Sequence, residues 1–209
     1  RYYGVAMSSN PTSFSAPFQP RAEITAPPRL GLVTREFPTF FTLHARALFA
    51  PPVPLPVRGQ GRKVMLLPGF LAAHDSMALL HRSLAAADFD VAHWGLGRNM
   101  GAKDDTLDRF DGAVRRFAGG APVALIGWSL GGLIAREYAK ARPDAVRQVI
   151  TMGSPFSGDI ARTTNVGRVY QRVTGHAPQH APFAADLNAK PPVPTIALWS
   201  RKDAVVAPK

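Results

Sequence analysis

From Arg62 onward, short uninterrupted apolar runs alternate with segments whose apolar residues recur at helical spacing, and few architectures satisfy that alternation. Val64–Leu67, Val91–Trp94, Val123–Ile126, Val146–Met152 and Thr195–Trp199 have the length and composition of strands buried on both faces. Between them, Ser76–Ala87 places Met77, Leu80 and Leu84 on one face, with Asp75 as the expected N-cap. A second helix turns Leu107, Phe110, Val114 and Phe117 inward, and a third, Leu130–Ala141, does the same with Leu130, Leu133, Ile134, Tyr138 and Ala141. Strands of this kind separated by amphipathic helices predict an α/β fold, a mostly parallel, doubly wound sheet with helices on both faces.

The remainder of the chain is organised differently. Residues 1–29, rich in Ser, Pro, Thr and Asn, read as a disordered or extended tail. Residues 30–61 hold an expected helix from Phe37 to Phe49 and a stiff linker built on Pro51, Pro52, Pro54 and Pro56. The main domain covers 62–209, and its irregular segment 156–190 resembles a cap or lid. With 209 residues, 46% hydrophobic and 19% charged, the chain fits one soluble domain plus a tail and not a disordered, collagen-like or coiled-coil chain. No apolar run approaches the roughly 20 residues of a membrane-spanning helix, since Val64–Ala73 is interrupted by Pro68 and Gly69.

The chain has no cysteine, which excludes disulfide scaffolds, thiolate zinc sites and cysteine nucleophiles. A cytoplasmic address is expected, because nothing depends on oxidising conditions. The net charge of +11 would suit a polyanionic partner, but the basic residues are scattered, with pairs such as Arg115–Arg116 the longest runs. An arginine-rich surface, and not a nucleic-acid partner, is the expectation.

Chemistry concentrates at Gly127-Trp128-Ser129-Leu130-Gly131-Gly132, between an expected strand and an expected helix. That is the context of a G-x-S-x-G nucleophile elbow, where Gly127 and Gly131 allow neighbouring backbones to approach and Ser129 projects at a helix N-terminus. An acyl-transfer serine also needs two backbone N–H donors for the developing oxyanion. Leu130, next after the serine, is one. Phe70, in Leu67-Pro68-Gly69-Phe70 after the first strong strand, is the best-placed second. Asp203, just beyond the strand Thr195–Trp199, lies on the same sheet edge and follows the serine in the order serine, then acid. Its role would be to orient a histidine. Phe70, Leu71, Trp94, Trp128 and Phe156 would give the site an apolar lining.

Two other patterns carry less. Gly95-Leu96-Gly97-Arg98-Asn99-Met100-Gly101 has the wrong glycine spacing for a dinucleotide fingerprint and reads as a flexible loop on the active side. Asp104, Asp105 and Asp108 fit N-terminal capping of the helix at Leu107 better than a metal site. No metal and no cofactor are expected.

On these motifs, residues 62–209 resemble an α/β-hydrolase of the serine esterase and lipase group. The resemblance implies that Leu67–Phe70 supplies the oxyanion loop, Gly127–Gly132 the elbow, Gly153–Pro155 the end of the next strand and Ser200–Asp203 the triad acid. It implies cleavage of a carboxylic ester, of a lipid or other apolar acyl group, through an acyl-enzyme on Ser129. An acyltransferase with the same nucleophile and a non-catalytic binding protein of this fold are the alternatives. The chain departs from the family at the histidine, which should follow the acid. The six histidines, His44, His74, His81, His93, His176 and His180, all precede Asp203.

One more strand and a final helix, with the histidine on the loop between them, are therefore expected after Asp203. Without that strand, Thr195–Trp199 would be an open apolar edge. Residues 1–209 alone are expected to show low solubility and negligible esterase turnover, and added downstream sequence with its histidine to restore both. Turnover by residues 1–209 that disappears in Ser129→Ala would contradict this and point to His176 or His180 as the base.

Overall fold

The computed structural model describes residues 3–8, 47, 49–154, 167–175 and 189–200. Its centre is a six-stranded sheet of β1 (Tyr3–Ser8), β2 (Lys63–Leu67), β3 (Asp90–His93), β4 (Val123–Trp128), β5 (Val146–Met152) and β6 (Thr195–Ser200), in the order β1-β6-β5-β4-β2-β3. The helices are α1 (Ala78–Ala86), α2 (Thr106–Ala118), α3 (Leu130–Ala141) and α4 (Gly167–Thr174). Strands β2 to β6 pair in parallel, and β1 joins β6 antiparallel.

The period-2 geometry of a strand explains why continuous apolar runs were needed. On β2, Met65 and Leu67 enter one core with Phe110 and Val114 of α2 and Leu133, Ile134 and Tyr138 of α3. Val64 and Leu66 enter a second core with Met77 and Leu84, on the α1 side. The apolar residues of β2 thus meet helices on both faces of the sheet, as a doubly wound sheet requires. Burying each such large apolar side chain contributes about 1.5–3 kcal/mol before entropy is counted.

Three local expectations are corrected. The segment after the first strand does not open as an α-helix capped by Asp75. A 3-10 turn, His74–Met77, precedes α1, and no side-chain bond caps either start. Ser76 Oγ instead donates to the Ala73 carbonyl at 2.6 Å. Asp105 stands at the N-cap of α2 but makes no capping bond there. The Thr106 hydroxyl accepts the Lys103 N–H at 2.8 Å, so a threonine closes the turn and Asp105 instead faces Arg109 at 3.7 Å. Finally, Thr195–Trp199 is not an open edge, because β1 covers it in register from Tyr3↔Ser200 to Ser8↔Thr195. Unpaired edge N–H and C=O groups gain ladder partners that way. Part of the expected tail is therefore a strand, and its residues 9–29 lie outside the described residues. So does most of the expected helix Phe37–Phe49, of which residues 47 and 49 are helical. Arg82 Nη2 ties this end down, donating to the carbonyls of Ala47 at 2.6 Å and Ala50 at 2.9 Å. No helix among the described residues is long and apolar enough to cross a membrane.

α2 and α3 are joined by a polar link beside the core. Phe110 meets Tyr138 edge to face, with centroids 4.9 Å apart, and Tyr138 Oη donates to Asp111 Oδ1 at 2.9 Å. Arg115 Nε donates to Asp111 Oδ2 at 2.7 Å, while Arg142 Nε lies 3.7 Å from Oδ1. Burial opposes ionisation of Asp111, but the hydrogen bonds from Tyr138 and Arg115 and the nearby arginine charges outweigh it and hold its carboxyl below the usual range. Burial, then the Asp111 bond and charge, pushes the Tyr138 phenol up, so it stays a donor at neutral pH.

A group whose folded value is depressed stabilises the fold above its unfolded value, about 3.9 for Asp, and loses that contribution as pH falls through the folded value. Tyr138→Phe removes a hydrogen bond to a charged acceptor and is expected to cost about 1.5–3 kcal/mol in urea unfolding at pH 7. The difference from the parent should shrink as pH falls toward about 2. A difference that does not change with pH would show that Asp111 is not the acceptor that matters.

Candidate active site

The sheet order reverses at β2, with β3 on one side and β4 on the other, so the crevice above the C-terminal ends of β2 and β4 is the topological switch point. Both sequence motifs converge there. β2 and β4 pair in register up to Leu67↔Gly127, which brings the residues after Leu67 alongside those after Gly127.

Ser129 sits between β4 and α3 at φ 52°, ψ −119°, a region costly for a residue with a Cβ, at about 1–3 kcal/mol. Its surroundings hold it there. The Ser129 N–H donates to the Met152 carbonyl at 2.8 Å, and its carbonyl accepts the hydroxyl of Ser154, a buried residue, at 2.8 Å. Ser154 lies just past β5, in the Gly-Ser-Pro stretch whose Pro155 is outside the described residues. Glycine is required on either side of the serine. A Cβ on Gly127 would run into Gly131 O and Gly132, and one on Gly131 would strike Leu67 O and come within 2.6 Å of Pro68 O. The first turn of α3 therefore lies directly on the backbone of the loop after β2.

That loop reaches the serine. A Cβ built on Gly69 would stand 3.4 Å from Ser129 Cβ and 3.1 Å from the Trp128 ring. Phe70 follows, half-buried, and no turn, loop or cap acceptor among the described residues engages its N–H. Leu130 is the first residue of α3, so its N–H is one of the helix's orphan donors, where the dipole favours negative charge. Gly69, Phe70, Ser129 and Leu130 are thus brought to one place.

Asp203 and Phe156 lie outside the described residues, as do His44, His176 and His180. The other three histidines gather on one another. His81 stacks on His93 with centroids 4.7 Å apart, and His74 lies 5.4 Å from His93. Burial first, then the charges of His81 and His74, lowers the His93 pKa, so its ring is neutral at pH 7. Among the described residues no group of three or more His, Asp or Glu is placed to hold a metal ion. Of the expected apolar lining, Trp94 belongs to the core and donates its indole N–H to the Gly97 carbonyl at 2.7 Å.

Sequence reasoning missed two features. Gly95–Gly101, read as a flexible loop, is tied down by Asn99, which is fully buried and bonded to the loop after β2. The segment 156–190, read as irregular, contains α4, whose buried Tyr170 packs against Phe70 with ring centroids 5.0 Å apart. Its Oη accepts the Ala102 N–H at 3.1 Å. An asparagine among glycines after a strand was the one available signal for the first. The tyrosine's role is set by tertiary contact alone.

Comparison with known proteins bears on the fold. The family model of the alpha/beta hydrolase fold matches residues 63–175. A stretch of 67 residues is 40% identical to the pimeloyl-acyl-carrier-protein methyl ester esterase of Aliivibrio salmonicida, covering 31% of this chain and 24% of that protein. The counterpart in Aliivibrio fischeri is 39% identical over 67 residues, so the match spans about a quarter of these relatives' length. Among solved structures, a monoacylglycerol lipase of Paleococcus ferrophilus is similar at 22% identity and a TM-score of 0.43, over 57% of this chain and 49% of that one. Matched by the family model over more than half of its 209 residues, the chain belongs to the alpha/beta hydrolase fold family.

Proposed function

We propose that this chain carries the nucleophile and oxyanion hole of a serine hydrolase that cleaves a carboxylic ester. The observation that carries the reading is the strained Ser129 at the switch point, with the Gly69–Phe70 loop against it. Strained backbone of this kind clusters at functional sites.

In this reading Ser129 Oγ attacks the ester carbonyl carbon and its proton passes to a histidine oriented by Asp203. The carbonyl oxygen takes up the negative charge, held by the N–H groups of Phe70 and Leu130. Collapse expels the alcohol, which receives that proton, and leaves an acyl-enzyme on Ser129. Water then attacks the acyl carbon by the same route, releasing the acid and the free serine. The stretch shared with a methyl ester esterase supports a carboxylic ester as the bond class. Phe70 and Leu71 of that loop, with the Trp128 ring against Gly69, favour an apolar acyl group. Small-molecule or lipid esters are the substrate class, and the chemistry needs no cofactor.

Treatment of the full-length natural protein with a fluorophosphonate probe should label Ser129. Ser129→Ala should abolish labelling and lower kcat on p-nitrophenyl esters by about 10⁴–10⁶-fold. Equal labelling of Ser129→Ala and the parent would overturn the assignment.

A further inference from the structure

We infer that Asn99 is the positioning residue of the oxyanion loop, clamping residues 68–72 so that the Phe70 N–H stays aimed at the reacting carbonyl. The inference rests on the serine-hydrolase reading above and adds a residue that reading does not use. Asn99 is fully buried. Its N–H donates to the Ala72 carbonyl at 2.9 Å, and its carbonyl accepts the Leu71 N–H at 2.7 Å. Its side-chain Nδ2 donates to the Pro68 carbonyl at 2.8 Å, and Oδ1 accepts the Gly101 N–H at 3.2 Å. Three of these bonds land on residues 68, 71 and 72 and bracket Phe70 from both sides.

The loop needs such a clamp. Leu71 sits at φ 60°, a left-handed conformation that a leucine adopts only when its neighbours impose it. The Pro68 carbonyl lies where α3 begins, since a Cβ on Gly131 would come within 2.6 Å of it. Without the Nδ2 donor, that buried carbonyl is left unpaired beside helix backbone, and the peptides on either side of Gly69 are free to turn. Only a neutral amide fits. Aspartate would set an oxygen against the Pro68 carbonyl, and an apolar residue of the same shape would orphan both Pro68 C=O and Gly101 N–H. Preorganised donors matter most where charge develops, so a loosened loop should weaken the transition state and leave ground-state binding nearly untouched.

The test compares Asn99→Asp and the milder Asn99→Ser with the parent in the full-length natural protein, with kcat expressed per folded molecule from tryptophan fluorescence. Both variants are expected to lose about 10²–10³-fold in kcat, as for removal of one oxyanion donor, with KM changed less than about threefold. The inhibition constant of an alkyl boronic acid, which mimics the tetrahedral oxyanion, should rise in parallel with the loss of kcat. Tyr138→Phe, destabilised away from the site, should keep kcat per folded molecule, which separates loss of positioning from loss of fold. If the parent labels with fluorophosphonate on Ser129 while Asn99→Ser keeps both its kcat and its boronate affinity, the inference is overturned and the hydrolase reading stands. A parent that does not label at Ser129 overturns both.

Discussion

Backbone packed on backbone governs this molecule. The first turn of α3 rests on the Leu67 and Pro68 carbonyls, an approach that Gly131 alone permits. Because β2 and β4 are hydrogen-bonded neighbours, with Leu67 opposite Gly127, that contact sets the loop after one strand against the serine after the other. A slip of one residue in the β2–β4 register would turn Met65 and Leu67 out of one core and Val64 and Leu66 out of the other. The two cores therefore specify the register, and the register places the site. Ser129 is held at positive φ at a cost of about 1–3 kcal/mol, which the Met152 and Ser154 hydrogen bonds and the buried strands around it offset.

Further layers support that contact without touching the serine. Asn99 fastens the loop after β3 to the loop after β2. Tyr170 of α4 then adds a second tie, with its ring on Phe70 and its hydroxyl accepting the Ala102 N–H. Burial raises the Tyr170 pKa, so the phenol stays neutral at physiological pH. Motion of α4 would thus be felt at Phe70, whose side chain it touches and whose main chain faces the crevice in the proposed mechanism.

Much of this was legible in the residues. Leu130–Ala141 and Val146–Met152 are read with the bounds the structure shows, because their periodicity is strong and glycine or proline marks their ends. The Gly-x-Ser-x-Gly run and Leu-Pro-Gly-Phe were legible for a similar reason, since glycines at a strand end announce close backbone approach. The pairing of Tyr3–Ser8 was not, because an edge strand is decided by the partner that offers unpaired N–H and C=O groups, here β6. Helix Gly167–Thr174 contains Gly, Val and Thr, poor helix formers, and was hidden for that reason. Asn99 was misread because three of its four hydrogen bonds run to residues distant in sequence, and an asparagine among glycines does not say which partners it has.

The most direct measurement is a crystal structure of the full-length natural protein after reaction with an alkyl phosphonate. The expected result is a covalent P–O bond to Ser129 Oγ and a phosphoryl oxygen about 2.7–3.1 Å from both the Phe70 and Leu130 nitrogens. An adduct on another residue, or a phosphoryl oxygen turned away from those two N–H groups toward solvent, would contradict it.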